Sequence, residues 1–355
     1  MEMSVILPPK PNSWEIVAHA EQLGYSRAYF YDTALLTADL FACMAVAATK
    51  TSKIKLFSGV MIPSYRIAPV AANGLATLNA LAPGRIGFGV GTGFTGRRTM
   101  GLKQVTQARL SKYVEVVQDL LAGKMVEWDE DGRSRKIQFI DPELSMINLD
   151  DPIPLAISAF GPKGRALVVK HGANWITAGG HAERVKPEIE DTRAHWAESG
   201  RDPEDFYPIC SIGGCVLDDG ESPDSKKALA QAGPFASVMF HAAVEAAEFG
   251  ALLPSGFPFP EQLEQYRKVY EQYEPADARY LANHRGHTMY LRPEETHLTG
   301  DIIKVLTMTG TKKELAEQLK EMKALGFKEA KFHTAAGHEH EMIERWADVM
   351  AEVNA

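Results

Sequence analysis

Short β-prone runs alternate with helical ones along almost the whole 355-residue chain, and this alternation limits the fold more than any other feature. Repeated strand–helix units pair their strands in parallel, because each helix carries the chain back across the sheet. SVIL (4–7) is followed by NSWEIVAHAEQLG, where Asn12 and Glu15 have capping-box spacing, Ile16, Val17, Ala20 and Leu23 form one apolar stripe, and Gly24 stops the helix. AYFY runs into Asp32, a helix is predicted over 39–51, IKLFSGV reads as a third strand, and a helix over 68–82 ends at Pro83-Gly84. IGFGV, PLAIS (154–158), NWIT (174–177) and PICSIGGCV (208–216) supply further strands. Helices are predicted over 104–122, in GPKGRALVVKHG, and over 182–199, whereas 124–152 reads as charged and irregular. The last unit is the clearest. Thr311 and Glu314 form a capping box, Leu315, Leu319, Met322 and Leu325 share a face, Gly326 ends the helix, and AKFH begins an eighth strand before a closing helix.

Eight such units in one chain of this length predict an α/β fold of the (β/α)8 TIM-barrel type, a single domain over 1–355, rather than an open sheet. Residues 218–308 form an insertion between strand seven and the last unit. It starts helical, passes through LLPSGFPFP, and continues as an aromatic-striped helix carrying Tyr266, Tyr270 and Tyr273. Such an excursion predicts a lid or subunit contact at the catalytic rim. Phe257, Phe259, Tyr266 and Tyr270 suit an apolar substrate pocket or, equally, a dimer interface.

Composition excludes several classes of partner. A net charge of -8 without a basic stripe argues against nucleic acid. No apolar run approaches the roughly 20 residues of a membrane span, and MEMSVILPPKPNS lacks the apolar core of a signal peptide. A soluble, cytoplasmic protein is expected. Cys43, Cys210 and Cys215 lack metal-ligand spacing and read as reduced, buried thiols.

GTGFTGRR (91–98) contains the spacing G-x-G-x-x-G at Gly91, Gly93 and Gly96. A dinucleotide-binding fingerprint needs its third glycine to open a helix after the first strand. Here the preceding strand is the fourth, and GRRTMGLKQ reads as loop to about residue 104. Two readings remain: Gly89, Gly91 and Gly93 let a flat ligand lie on the backbone at a strand end, or they serve tight strand packing and a turn. After strand five, Ser158, Ala159, Phe160, Gly161, Pro162, Lys163, Gly164 and Arg165 lead into a helix, so free N–H groups and two cations converge as an anion site. The alternative is a solvated helix start.

The run RIAPVAANGLATLNALAPGRIGFGVGTGF resembles the segment that characterises the bacterial luciferase-like family of flavin- and deazaflavin-dependent oxidoreductases. PIPLAISAFGPKGRALVVKHGANWITAGG is similar to the family's fifth and sixth barrel strands, and TGTKKELAEQLKEMKALGFKEAKF to its terminal unit. The likeness covers about 1–200 and 309–350, and leaves the insertion unmatched. It implies a (β/α)8 barrel that holds FMN or coenzyme F420 at the carboxyl ends of the strands, often in a homodimer. It further implies that the Ser158–Arg165 loop holds the coenzyme phosphate with Gly179 and Gly180 on the same side. Ser58, Gly59 and Val60 would back the ring, where the family often carries a bulge or cis peptide, and Gly91 and Thr92 would touch it too.

Asp32 ends strand two, where many relatives carry an acid followed by histidine; here Thr33 follows, which puts the alcohol chemistry of that histidine in doubt. Asp32 positions coenzyme or substrate, or caps a helix. His333 at the end of strand eight, His181, and the pair His284 and His287 are the proton carriers, each with a structural hydrogen-bonding role as its alternative. The three-residue spacing of the pair also suits a metal, but no third ligand presents itself, and none is expected. Thr33, Arg97, Phe257 and Tyr266 are candidate substrate contacts, with Arg98 beside Arg97 on a loop.

The leading expectation is a monooxygenase that takes reduced FMN from a separate NAD(P)H flavin reductase and uses molecular oxygen on a small organic substrate. The first alternative is a coenzyme F420-dependent reductase or dehydrogenase, like methylenetetrahydromethanopterin reductase. The second is a catalytically silent flavin-binding protein.

Overall fold

The computed structural model describes residues 1–250 and 257–355, so LLPSG within the insertion lies outside the described residues. Twelve strands occur among them: β1 Glu2–Leu7, β2 Arg27–Phe30, β3 Lys55–Ser58, β4 Ile86–Val90, β5 Val126–Glu130, β6 Arg133–Ile137, β7 Leu155–Ser158, β8 Asn174–Ala178, β9 Pro208–Ile212, β10 Val216–Leu217, β11 Gly310–Thr311 and β12 Glu329–His333. Eight of them close into a barrel in the order β1-β12-β9-β8-β7-β4-β3-β2. Every pairing in it is parallel. The expected (β/α)8 barrel is therefore the fold.

Local structure departs from the expectations in four places. The stretch expected to be irregular contains the antiparallel hairpin β5–β6, turned by Asp131 (φ 54°) and Gly132 (φ 71°). Two consecutive positive φ values are what the tight hairpin turn requires, and Asp-Gly supplies them. The stretch after Gly93 is a short helix, Phe94–Arg98, and not a loop. Strand seven stops at Ile212, because a Cβ on Gly214 would lie 1.9 Å from the Met308 carbonyl oxygen, so the backbone there is committed to the insertion's return. Asn12 makes no capping box; its amide donates to the Glu15 carboxylate at 3.3 Å, and the helix begins at Ser13. The box at Thr311 and Glu314 does form, with Glu314 Oε2 accepting from the Thr311 backbone at 2.8 Å.

The pleat sorts side chains to the two sides of the barrel wall. On β12, Phe332 faces outward and stacks on Trp346 of the closing helix at 4.3 Å between ring centroids. Its neighbours Glu329, Lys331 and His333 belong to the other face. Inside, Ile6, Tyr29, Phe57, Ala156, Ile176 and Ile209 form an apolar plug. Polar groups bracket it. Toward the amino-terminal mouth Glu329 accepts from Ser4 at 2.5 Å and pairs with Arg27, whose guanidinium lies 4.5 Å from the Tyr207 ring centroid. Lys331 sets its ammonium 4.9 Å from the Tyr29 ring centroid, and burial pulls its pKa down to about 8. Cys43, Cys210 and Cys215 are buried and free, as expected.

The insertion has its own core. Helix Lys226–Val244 packs with helices Pro260–Tyr270 and Gly300–Leu306 around Ala232, Ala236, Phe240, Tyr266 and Ile303. Tyr273 lies beyond the aromatic helix that was expected to carry it. His297 sits edge-on to Phe240 at 4.4 Å, and burial holds its pKa near 4. No described helix is long and apolar enough to cross a membrane.

Two predictions follow from these buried groups. Glu329→Ala strands the Arg27 charge inside the barrel, and urea unfolding is expected to show a loss of about 3–5 kcal/mol. His297 must stay neutral to fold, whereas the unfolded ring takes a proton at its ordinary pKa of 6.5. Its folded pKa is depressed, so stability is lost as pH falls. The expected loss is about 3 kcal/mol between pH 7 and pH 4, and His297→Phe should remove that part of the slope in unfolding curves taken at both pH values.

Candidate functional site at the carboxyl rim

The carboxyl ends of the barrel strands are where a (β/α)8 fold gathers its functional groups. At these strand ends Tyr31, Val60, Thr92, Ser158, Ser211 and His333 are partly exposed and Ala178 is exposed, above the apolar plug.

His333 occupies the centre of that floor. Its Nδ1 lies 2.6 Å from the Tyr31 hydroxyl and its Nε2 2.7 Å from Ser211 Oγ, while the Phe235 ring packs 4.8 Å away. Thr288 of the insertion donates to the same Tyr31 hydroxyl at 3.3 Å. Burial, and then the Lys331 ammonium below, hold the imidazole well under the ordinary histidine pKa. The ring is a neutral base at pH 7, locked between two hydroxyls that can pass a proton.

The glycine-rich stretch has a packing origin. A Cβ on Gly89 would fall 2.0 Å from the Ser58 carbonyl oxygen, and one on Gly91 2.8 Å from Val60 Cγ2. Gly93 takes φ 84° to turn into the short helix. The second of the two expected readings of this motif, tight packing plus a turn, accounts for these residues. Ser58 is fully buried and its hydroxyl joins the seam, donating to the Gly89 carbonyl at 2.7 Å. Of the expected ring contacts, Ser58, Gly59 and Gly91 are therefore covered, and Val60 and Thr92 are partly exposed. The Gly59–Val60 peptide is cis, matching the irregularity that the resemblance implies at that strand end.

The loop after β7 divides as well. Phe160, Gly161 and Lys163 are exposed, and helix Pro162–His171 starts without a side-chain cap. Around the β-positions of Gly161 and Gly180 there is nothing within 4 Å, so both stand in open space. Ala159 is buried. Arg165 donates to the Phe160 carbonyl at 3.2 Å and pairs with the half-exposed Asp191 at 3.1 Å. Gly179 donates to the Ser211 carbonyl at 2.6 Å and is packed against Ile212.

Asp32 does not face the floor. Both its oxygens lie 2.9 Å from Arg66, whose other nitrogen reaches Asp39 at 2.6 Å. This buried pair ties the loop after β2 to the loop after β3, with Thr33 half-buried beside it. Sequence reasoning missed Arg66; an arginine shortly after a strand end was the available signal. Arg97 bends back to the Lys103 carbonyl. Arg98, expected on a loop, is buried, pairs with Glu245 at 3.2 Å and lies under Phe94 and Phe249.

The insertion residues also land elsewhere than expected. Tyr266 is fully buried, donates to Asn283 at 2.6 Å and accepts from Arg292 at 2.7 Å; it belongs to the insertion core and not to a substrate wall. Phe257 packs 4.7 Å from Phe240 in the same core. His284 is buried against Glu245 at 3.0 Å, and His287 lies 2.7 Å from Thr95 Oγ1. His181 is exposed at the start of helix Ala182–Glu198, and of the residues expected to carry protons His333 is the one held between two hydroxyls at the carboxyl rim.

A family model described as luciferase-like monooxygenase matches residues 8–329. An F420-dependent glucose-6-phosphate dehydrogenase of Beutenbergia cavernae is 30% identical over 151 residues, which cover 41% of this chain and 44% of that one. The chain thus spans less than half the length of that curated relative. The coenzyme F420-dependent tetrahydromethanopterin reductase of Methanopyrus kandleri superposes with a TM-score of 0.71 at 16% identity, covering 98% of this chain and 97% of the other. The oxygenating constituent of 3,6-diketocamphane monooxygenase from Pseudomonas putida, solved with FMN, superposes with a TM-score of 0.64 at 12% identity over 99% and 98% of the two chains. At those identities the likeness is one of fold. The match of the family model over nine-tenths of the sequence carries more: this chain is a member of the luciferase-like family of oxidoreductases.

Proposed function

We propose that the chain is a coenzyme F420-dependent oxidoreductase that exchanges a hydride between the deazaflavin and a small alcohol or carbonyl compound. The observation that carries this reading is His333, neutral and held between Tyr31 and Ser211 at the carboxyl rim. Hydride transfer to or from a C–O carbon needs a partner for the hydroxyl proton at the same moment, and a neutral imidazole supplies it. F420-dependent dehydrogenation by the Beutenbergia relative supports the reading. When bound, the deazaflavin supplies two-electron chemistry without reacting readily with oxygen.

The chain's own groups divide the work. Lys163, the uncapped start of helix Pro162–His171 and the open space at Gly161 and Gly180 suit an anionic coenzyme tail. Val60 and Thr92 face the space where the ring would lie, with Ser158 beside them. Substrate oxygen would sit against the Tyr31 hydroxyl or the His333 ring, and the proton would pass along the Tyr31–His333–Ser211 chain.

A second reading, oxygenation by reduced FMN with molecular oxygen and a separate flavin reductase, is favoured by Thr33. It stands where many relatives have the histidine of alcohol dehydrogenation. Fluorescence titration with F420, reduced FMN and oxidised FMN separates the two: tight binding of F420 is expected, and tight binding of reduced FMN alone overturns the proposal. His333→Asn is expected to lower kcat by about 10²–10⁴-fold with coenzyme affinity kept. Lys331→Met removes the cation that depresses His333, so its pKa rises. The acid limb of the kcat/KM profile should then move to higher pH, which steady-state rates across a buffer series will read.

A further inference from the structure

Three histidines outside the barrel floor converge. His241 lies on helix Lys226–Val244, His284 directly follows helix Arg279–Asn283, and His287 is in the turn beyond. One ring nitrogen from each lies within 4.8 Å of the others. All three Nε2 atoms already have partners. His241 Nε2 lies 2.5 Å from Glu295 Oε1, His284 Nε2 lies 3.0 Å from Glu245 Oε2, and His287 Nε2 lies 2.7 Å from Thr95 Oγ1.

A carboxylate only accepts, so Nε2 carries the hydrogen in His284 and its Nδ1 is left as a bare lone pair. His241 Nε2 faces both the Glu295 carboxylate and, at 3.0 Å, the Arg292 guanidinium; the carboxylate contact is the shorter and leaves Nδ1 bare there too. The Nδ1 atoms of all three rings are buried and have no hydrogen-bond partner among the described residues. Buried acceptors with no donor are costly to keep, and a cluster of them is best explained by a cation that they share.

We propose that His241, His284 and His287 hold a divalent d-block metal ion, with Zn2+ the natural occupant, through their Nδ1 atoms. Neutral nitrogen donors select such ions over Mg2+ and Ca2+, which demand oxygen ligands. Glu245 and Glu295 are already paired with Arg98 and Arg292, at 3.2 Å and 2.9 Å, so they act on the imidazoles and not on the metal. A carboxylate behind a ligating histidine is the usual outer partner of a zinc site; it fixes the ring and raises its basicity. Zn–N bonds of about 2.0–2.1 Å in tetrahedral geometry bring the nitrogens to about 3.4 Å from one another, so the rings draw in by about 1 Å. Three protein ligands leave a fourth position for water or a substrate oxygen. His287, the half-buried member, marks the side on which it opens.

The ion would also join separate parts of the fold. Thr95 belongs to the short helix after β4, His241 to the first insertion helix, and Thr288, next to His287, reaches Tyr31 on the floor. Binding would therefore pin the insertion to the rim.

The test uses the full chain, stripped with EDTA and dialysed against Zn2+ alone or Co2+ alone. Mass spectrometry of metal content is expected to give one equivalent per chain, and the Co2+ form should show the visible absorption of tetrahedral nitrogen coordination. His284→Ala and His287→Ala, folded by circular dichroism, should lose the bound metal. A wild-type chain that stays metal-free at micromolar Zn2+, or alanine variants that bind as tightly as wild type, overturns the proposal. Should those variants not fold, Thr95→Val decides, since it keeps all three ligands and removes only the outer partner of His287. Affinity about 10-fold lower or more supports the site, and unchanged affinity sinks it.

Discussion

The carboxyl ends of β3 and β4 approach each other so closely that no side chain fits between them. Ser58 gives its hydroxyl hydrogen to the Gly89 carbonyl and accepts from the Gly89 amide at 2.9 Å, and the β-positions of Gly89 and Gly91 are filled by the facing strand. This seam fixes where Val60 and Thr92 emerge, and the loops beyond it lean on the same contact. Gly93 and Gly96 let the short helix settle on Ile62, and that helix delivers Thr95 and Arg98 to the insertion. A motif that suggests a phosphate loop in isolation is here the means by which two strand ends and an insertion are brought together.

Below the rim the barrel interior is stratified by charge. The Arg27–Glu329 pair closes the amino-terminal mouth, a layer of aromatic and aliphatic side chains fills the middle, and Lys331 and His333 rise in succession on one strand toward the floor. Two positions apart on β12, they share a face of the pleat, so the lysine adds its charge to the burial that already holds the His333 ring neutral.

Periodicity made the barrel legible. Apolar residues at helical spacing and the box at Thr311 and Glu314 are local signals that folding leaves unchanged, although the same spacing at Asn12 and Glu15 makes no box. The hairpin β5–β6 was legible too, in Asp131-Gly132, though its surrounding charge masked it. What could not be read were partners distant in sequence. Asp32 looks like an acid at a strand end until Arg66 is beside it, Arg98 looks exposed until Glu245 covers it, and His284 and His287 lack a third companion until a helix carries His241 to them. Tyr266 failed for a similar reason: an aromatic residue on an amphipathic helix gives no sign of which neighbour it will serve, and here it serves Asn283 and Arg292.

The insertion leaves and rejoins the barrel at almost the same point. β10 and β11 lie side by side in parallel, Val216 opposite Gly310 and Leu217 opposite Thr311, with Gly310 donating to the Cys215 carbonyl at 3.2 Å. A segment anchored at a two-residue clasp, with a nucleus of its own, can be lengthened, shortened or exchanged without disturbing the register of the ring beneath. Variation in what such a scaffold accepts would then accumulate above that clasp, while the eight-stranded foundation persists from one descendant to the next.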